Sequence, residues 1–334
     1  MNILNSLSRS MQALGVISVL ALGQTTFAAV PTVATAEQFQ QAAGYYRQMV
    51  GDIIVTAVYD GYIDLNPKHL SGLSQQEIHE HIFNEYQKAS PLVQTAVNAF
   101  LIQRGDRLVL VDSGSSDCFG PTMGRMVDNI RAAGFNPEDV DDVLLTHMHP
   151  DHACGVTLPN GKAAFPNATV WASEKDAKFW LNEKMEKTLP EDQRSFFRMA
   201  RNAIAPYKSI GKFKTFKDNS SLFADIQIVP SNGHTPGHTS YLLNAGSEKL
   251  LLWGDIVHVH SVQLEHPEVS IEVDVDSKAA IASRKRLLAE SAQERWMIAS
   301  PHLPFPGLGH LQKTSNGGYR WIPVEYRNPI NSEH

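Results

Sequence analysis

LLTHMHPDHACG, residues 144–155, places three histidines and an aspartate at the end of an apolar run that is typical of a β-strand. Imidazole and carboxylate groups are the ligands that bind zinc and related ions in proteins. If the chain turns sharply at this point, four such groups so close together can bind two ions. The ligand candidates are His147, His149, Asp151 and His152. Their spacing predicts a metal site.

Three more candidate ligands follow later in the chain, each after an apolar run. His234 lies in NGHTPGHT, Asp255 follows LLLWG, and His302 follows IASP. In layered α/β folds, functional side chains collect where strands pass into loops, because the strands fix the backbone and the loops leave side chains accessible. Two clustered histidines could arise by chance in a chain with 14 of them, but this repeated placement argues against chance. We therefore expect the seven residues to form one site.

The composition is that of an ordinary globular protein. The chain has 334 residues, 43% hydrophobic and 19% charged, and is long enough to bury a full core. Its formal net charge is -6. Because nucleic-acid binding depends on positive surface that neutralises phosphates, we expect no nucleic-acid partner.

The first residues have the pattern of a secretory signal peptide. One cation, Arg9, precedes the apolar run ALGVISVLAL of residues 13–22, and small-residue cleavage sites follow at TFA and ATA. The apolar run is shorter than the roughly 20 residues of a membrane span, although an uncleaved anchor is an open alternative. We expect residues 1–28, or 1–36, to be removed. Residues 37–334 then form a single domain, periplasmic or secreted and without a stable membrane anchor.

Two cysteines, Cys118 and Cys154, leave their pairing open. Export permits a disulfide, but a domain of this size does not need one, so a bridge is possible and not predicted. Cys154 follows the ligand cluster closely. Because histidines and aspartates already supply enough ligands, we expect it to be a small packing residue beside the site.

The secondary structure predicted from the sequence mixes strands and helices. Residues 36–50 are predicted helical, 52–65 a strand with a turn at Asp60-Gly61, and 93–114 a hairpin with its turn at Gly105-Asp106. Helices are predicted at 122–135, 174–205 and 277–292, between further short apolar strands. This order predicts an α/β fold with two packed sheets and helices on their outer faces.

Five segments, in chain order, resemble the motifs of the metallo-β-lactamase superfamily. They are LVDSG, THMHPDH, GHTPGHT, LLLWGD and SPH, and they span residues 110–302. The resemblance implies an αββα sandwich with a binuclear metal centre at one edge of the sheets. Its implied ligands are His147, His149 and His234 for one metal, Asp151, His152 and His302 for the other, and Asp255 as the bridge. Asp112 would support the ligand loop, and His238 would be a structural hydrogen-bonding residue.

The chemistry implied by this site is hydrolysis. Two divalent ions that share a carboxylate can also share a water, whose pKa falls until hydroxide is available near neutral pH. Asp151 and Asp255 would then act with that hydroxide, and the ions would stabilise the oxyanion. We expect zinc, although manganese, cobalt, cadmium or iron suit the same ligands. No G-x-S-x-G nucleophile elbow offers a serine alternative.

Individual ligand residues indicate which group within the superfamily the sequence resembles most. Asp255 argues against a true β-lactamase of this superfamily, and His149 against its oxygen-reducing diiron branch. The segments VYDGYIDL, DCFGPTMGRM and SPHLPFPGLGHL resemble the exported group that contains methyl parathion hydrolase and its lactonase and arylesterase relatives. This implies a hydrolase of small uncharged substrates, an aryl lactone, an acyl-homoserine lactone or an aryl ester, and a possible homodimer. The alternatives are an organophosphate phosphotriesterase, a thioesterase, or a zinc-binding protein without catalysis.

The substrate pocket is expected to be aromatic. Phe119, Trp180 and Phe196 could stack on an aryl or acyl group, although Trp180 and Phe197 fit the core equally well. His258 stands at a place where a hydrophobic residue would favour a bulky aryl phosphotriester. Its polar imidazole favours lactone or aryl-ester hydrolysis.

Overall fold

The computed structural model of the chain describes residues 41–84 and 92–326. The expected signal peptide, residues 1–28 or 1–36, lies outside these residues. The described residues from Ala42 onward form one compact unit. Among the described helices, none is both long enough and apolar enough to cross a membrane.

Strands and helices are interspersed along the described chain. The strands are β1 (Tyr45–Val50), β2 (Ile53–Leu65), β3 (Leu70–Ser71), β4 (Val93–Arg104), β5 (Arg107–Val111), β6 (Asp142–Leu144), β7 (Thr169–Ser173), β8 (Phe213–Phe216), β9 (Ile226–Pro230), β10 (Thr239–Ala245), β11 (Glu248–Leu252), β12 (Ser270–Ile271), β13 (Met297–Ala299), β14 (Leu308–Lys313) and β15 (Tyr319–Pro323). The α-helices are α1 (Gln75–Asn84), α2 (Met126–Ala132), α3 (Pro150–Ala153), α4 (Glu174–Trp180), α5 (Glu183–Glu186), α6 (Glu191–Ser209), α7 (His260–Gln263) and α8 (Ser277–Glu294).

The strands form two mixed sheets and one short ribbon. The first sheet has the order β1-β2-β4-β5-β6-β7-β8, antiparallel from β1 to β5 and parallel from β5 to β8. The second has the order β15-β14-β13-β11-β10-β9, in which only the pair β11 and β13 is parallel. A short antiparallel pair, β3 and β12, lies outside both sheets.

Apolar side chains alternate between the two faces of the central strands. On β5, Val109 and Val111 point into the cluster between the sheets, whereas Leu108 and Leu110 point to the outer cluster that includes α2 and α6. Because both faces are covered, the strand is apolar throughout. This explains why its sequence is a continuous apolar run rather than an alternating one.

The second sheet is covered in the same way. Leu287 and Leu288 of α8 lie in one cluster with Leu251, Trp253 and Ile298, on the face of this sheet away from the first. Helices therefore cover the outer face of each sheet, and the apolar cluster between the sheets forms the centre of the domain. The αββα sandwich implied by the sequence is confirmed.

Two local predictions from the sequence were wrong. Within the segment predicted to be helical, Tyr45–Val50 is strand β1, paired with β2 in register from Tyr45 opposite Val58. Pairing with a long neighbouring strand outweighs the weak helical pattern. Asp60-Gly61 is not a turn, because β2 runs straight through it with a bulge between Tyr59 and Gly61. A Cβ at Gly61 would meet the Thr122 carbonyl at 2.0 Å, so the glycine allows close backbone approach.

The other predicted elements are present with adjusted bounds. The Gly105-Asp106 turn joins β4 and β5, and α8 covers the predicted helix at 277–292. The predicted helical region 174–205 is divided into α4, α5 and α6, and α6 continues to Ser209. The segment after His302 forms the hairpin β14-β15 at the edge of the second sheet.

Cys118 and Cys154 form a disulfide. The sequence had left this pairing open, and Cys154 is both bridged and buried. Cys154 follows α3 directly, and Cys118 lies in the loop after β5. The bridge therefore ties that loop to the segment that carries the first ligand candidates.

Cys118→Ser should lower the free energy of unfolding by about 4 kcal/mol, because the bridge spans a sequence separation of 36 residues and closing such a loop restricts the unfolded chain. Urea unfolding of metal-saturated protein measures the change, and the reduced wild type should match the variant. A difference below about 1 kcal/mol between oxidised wild type and variant would contradict this account of the bridge.

Candidate metal centre

The ligand candidates come from the ends of strands in both sheets. His147 follows β6 of the first sheet, whereas His234, Asp255 and His302 follow β9, β11 and β13 of the second. All seven candidates are buried. Since the strands belong to the sandwich core, the fold itself positions the backbone that carries each of these ligands.

A sharp turn separates the ligands of the first motif into two sets. His149 has extended backbone angles and caps α3, and Pro150 occupies the first helical position, where it needs no backbone N–H partner. Asp151 and His152 follow in that single helical turn. The chain therefore presents His147 and His149 to one set, and Asp151 and His152 to another.

Asp255 lies between these two sets. Its Oδ2 is 3.1 Å from His234 Nε2 and 3.6 Å from His147 Nε2. Its Oδ1 is 3.0 Å from His152 Nε2 and 3.1 Å from His302 Nε2. Each carboxylate oxygen thus faces a different group of imidazoles, as a carboxylate shared by two ions would.

The buried polar atoms fit metal ions. Within the described residues, His147 Nε2, His152 Nε2 and Asp255 Oδ1 are buried and lack a hydrogen-bond partner. Such atoms are costly unless something compensates them. In each of two sets, one holding His147, His149, His234 and Asp255 and the other Asp151, His152 and His302, the ligand atoms lie within 4.8 Å of one another. Nitrogen and carboxylate donors of this kind suit zinc and its neighbours.

Electrostatics favour the metal-binding state of Asp255, His147 and His149. Burial opposes ionisation of Asp255, but His152, His302 and His147 outweigh it and hold the pKa of this carboxyl well below its usual range. Burial lowers the pKa of His147 and His149 well below the ordinary value of imidazole. The carboxylate is therefore charged at neutral pH, and these two imidazoles are neutral with a lone pair to donate. At three other ligand candidates burial opposes the charged ring, but the surrounding carboxylates outweigh it and raise the pKa of each imidazole, so an ion would displace a proton there; these are His152, His234 and His302.

Three supporting contacts fix which ring nitrogen faces the centre. His152 Nδ1 lies 2.9 Å from Asp112 Oδ2, and His302 Nδ1 lies 2.8 Å from the Ala96 carbonyl. Asp112 also accepts a hydrogen bond from the Thr146 N–H at 2.8 Å. Because these contacts hold Nδ1 of both rings, Nε2 is the nitrogen that faces Asp255 and that would ligate an ion. Asp112 thus contacts both the His152 ring and the backbone before His147.

Asp274 supports His234 in the same way, and sequence reasoning missed it. Its Oδ1 lies 2.9 Å from His234 Nδ1, and its other oxygen accepts the Ile271 N–H at 3.1 Å. Asp274 is 40 residues from His234 and outside every motif, so no pattern in one sequence identifies it.

Asp176 is a second residue that sequence reasoning missed. It accepts backbone hydrogen bonds from Met148 at 3.0 Å and from Gly237 at 2.7 Å. Burial raises the pKa of this carboxyl to about 6. Asp176 therefore joins the first ligand loop to the loop of His234.

His238 lies behind Asp255 and contacts its backbone. Its Nε2 accepts the Asp255 N–H at 2.8 Å, and its Nδ1 lies 3.1 Å from the Ser231 carbonyl. Burial lowers the pKa of His238 to about 3, so the ring is neutral and can accept that bond. The ring fixes the backbone of Asp255 rather than facing a metal.

His258 lies closer to the centre than a pocket wall residue would. Its Nε2 is 3.1 Å from Asp255 Oδ2, and its ring stacks on His302 with centroids 5.2 Å apart. Burial lowers the pKa of this imidazole, so it is neutral at neutral pH. His258 also borders a cavity of about 160 Å³, together with Tyr59, Gln94, His302 and Phe305.

The predicted aromatic residues form a continuous surface beside His149. The rings of Trp180 and Phe196 lie 5.0 Å and 5.5 Å from the His149 ring, and Phe119 lies 5.9 Å from Phe196. Phe119 and Phe196 are half-buried, whereas Trp180 and Phe197 are buried in the apolar cluster. Phe197 is therefore a core residue, and Trp180 belongs to both the core and the wall of the centre.

Asp274→Asn should weaken metal binding by about 10- to 100-fold, because it removes the carboxylate that orients His234 and strengthens it as a ligand. Competition with a chelator of known affinity measures the change. Glu272→Gln, at an exposed carboxylate nearby, is the matched control and should bind metal like the wild type. Equal affinity in Asp274→Asn and wild type would show that this contact does not support the ligand.

Comparison with known proteins agrees with this geometry. Residues 92–302 match the family model described as the metallo-beta-lactamase superfamily. The chain is similar to the structure of the hydrolase AbOPH in the beta lactamase superfamily, with 41% identity, coverage of 86% of this chain and 100% of that chain, and a TM-score of 0.83. It is also similar to AidC, a dizinc quorum-quenching lactonase in complex with a product, N-hexnoyl-L-homoserine, with 27% identity, coverage of 85% and 99%, and a TM-score of 0.78.

A curated relative gives a weaker match of the same kind. The N-acyl homoserine lactonase of Bacillus cereus is 24% identical over 183 residues, which cover 53% of this chain and 62% of that relative. The matched region of this chain therefore spans less than two thirds of that protein. The family model, by contrast, covers well over half of this chain and includes all seven ligand candidates. The chain therefore belongs to the metallo-β-lactamase superfamily.

Proposed function

We propose that this protein is a binuclear metal-dependent hydrolase that opens lactones or cleaves aryl esters. The observation that carries the proposal is the position of Asp255, whose two oxygens face two separate groups of imidazoles at 3.0–3.1 Å. A site for one ion would need only one of these groups. Membership of a metal-dependent hydrolase family supports the same reading.

The ligand candidates form two sets, one for each of two ions, and zinc is the expected metal. His147, His149 and His234 would hold one, Asp151, His152 and His302 the other, and Asp255 both. When bound, such a pair supplies an activated water and Lewis-acid stabilisation of the developing oxyanion. The chain's contribution is positioning: Asp112 and Asp274 fix two imidazole ligands, and His238 fixes the Asp255 backbone.

The surroundings of the centre favour an uncharged acyl substrate. The wall beside His149 is aromatic, and the cavity beside His302 adds further aromatic edges at Tyr59 and Phe305. His258 adds a neutral polar group next to Asp255. Relatives named as lactonases support a lactone substrate, and the 27% identity to one of them extends over most of the chain.

Export to the periplasm or outside the cell is part of the proposal. The Cys118–Cys154 disulfide supports it, since such bridges persist mainly in oxidising compartments. The apolar run near the N-terminus supports it independently.

Hydrolysis of a matched panel tests the substrate class. The panel contains an aryl lactone, an acyl-homoserine lactone, an aryl ester, a dimethyl aryl phosphotriester and a thioester. We expect a lactone or the aryl ester to lead in kcat/KM by at least about tenfold, which is about 1.4 kcal/mol of transition-state preference. A phosphotriester that leads by the same margin would instead establish the phosphotriesterase alternative.

Asp255→Ala should lose one bound ion and reduce turnover by at least about 100-fold. Removing a residue that only supports a metal ligand lowers activity by up to about 100-fold, and removing the shared ligand itself should cost at least as much. Metal analysis and kinetics with the leading substrate measure the two effects, and circular dichroism checks that the fold persists. Asp52→Ala, at an exposed aspartate, is the control. Undiminished turnover, or two ions still bound in the variant, would contradict the proposed role of Asp255 as the ligand that both ions share.

His258→Leu should shift preference from lactone or aryl ester toward aryl phosphotriester, because it replaces a polar ring with an apolar side chain beside the site. The ratio of the two kcat/KM values is the readout. His310→Leu, at a histidine outside the centre, should leave the ratio unchanged. An unchanged ratio in His258→Leu would mean that this position does not contact the substrate.

A further inference from the structure

A second cluster of metal-binding groups lies on the surface, apart from the centre. It consists of His81, Glu265 and His266, and their ligand atoms all lie within 4.8 Å of one another. His81 Nδ1 is 3.1 Å from Glu265 Oε2, and the two imidazole rings meet edge to face with centroids 4.7 Å apart. None of the three residues belongs to the motifs or to the centre described above.

The spacing is close to that of a bound transition metal. Bonds of about 2.0–2.1 Å place the donor atoms of a tetrahedral site roughly 3.3 Å apart. His81 and Glu265 already meet this separation. The side chain of Glu265 is about half exposed, so small rotations can bring the remaining pairs to the same distance.

The backbone beneath the cluster is held in place. Ile78 and Ile82 of α1 pack with Val262 of α7 and with Val269 in one buried cluster. The His266 N–H donates to the Val262 carbonyl at 2.8 Å, which fixes the turn after α7. His81 from α1 and the pair from this turn are thus presented by two elements that are already packed together.

The environment of His266 also resembles that of a metal ligand. Its Nδ1 lies 3.2 Å from Glu268 Oε1. An imidazole that donates to a carboxylate through one nitrogen keeps the other as a lone-pair donor and becomes a stronger ligand. The two carboxylates, Glu265 and Glu268, supply negative charge around the two rings.

We propose that His81, Glu265 and His266 form a third metal site, which binds one zinc-like divalent ion and joins α1 to the turn after α7. Two imidazoles and a carboxylate favour zinc, copper, nickel or cobalt over magnesium or calcium, which prefer oxygen ligands. Because the side chains are partly exposed, water completes the coordination. Binding at this site does not depend on the binuclear centre or on the proposed reaction.

Metal stoichiometry of the tag-free holoprotein tests the proposal. The wild type and the variants His81→Gln and His266→Gln are equilibrated with excess zinc, and the metal bound per chain is measured. We expect the wild type to hold one equivalent more than either variant. The matched control is His69→Gln, which removes an exposed histidine that contacts Glu272 without a second imidazole, and it should retain the wild-type count.

Hydrogen exchange provides a second readout. Zinc added to holoprotein should slow exchange of the α1 amides at least tenfold in the wild type and leave His266→Gln unchanged. Equal metal counts in the wild type and both cluster variants, or loss of the same equivalent in His69→Gln, would overturn the proposal. The comparison is between variants, so it gives the same answer whether the buried centre holds one ion or two.

Discussion

One buried carboxylate organises the site. Asp255 is almost fully buried, and five imidazole nitrogens face its two oxygens, three at Oδ2 and two at Oδ1. A buried carboxylate is costly unless positive charge and donors surround it. The neighbouring imidazoles, the His238 contact to its backbone and the proposed ions meet that requirement together. Removing one of these groups would leave the buried carboxylate partly uncompensated, so the residues of the centre depend on one another.

The same constraint links the site to the fold. His147 follows a strand of the first sheet, β6. The ligand candidates that follow β9, β11 and β13 extend from the second sheet, so the ligand set is complete only when the two sheets have packed together. The supporting carboxylates come from still other segments, Asp112 after β5 and Asp274 before α8. Metal binding should therefore be coupled to folding, since ions that bind only the folded arrangement stabilise it. The disulfide acts on the same region by holding the loop after β5 to the turn after α3.

The sequence was sufficient to predict the sandwich from the order of its strands and helices. It also identified the seven ligand candidates, because histidines and aspartates directly after apolar runs are a local signal. Asp274 and Asp176 could not be found in this way, since each acts through a contact between distant segments and neither stands in a motif. β1 was mistaken for a helix because its pairing with β2 is not visible in its own residues. His258 was expected in the pocket, but its bond to Asp255 depends on a turn that the pattern does not specify.

A crystal structure of the zinc-loaded protein, with anomalous scattering recorded at the zinc edge, tests the shared role of Asp255 most directly. Two buried peaks about 3.5–4 Å apart, one beside each oxygen of Asp255, are the predicted result. The first should be ligated by His147, His149 and His234, and the second by Asp151, His152 and His302. A single buried peak, or two peaks that Asp255 does not join, would contradict the binuclear account.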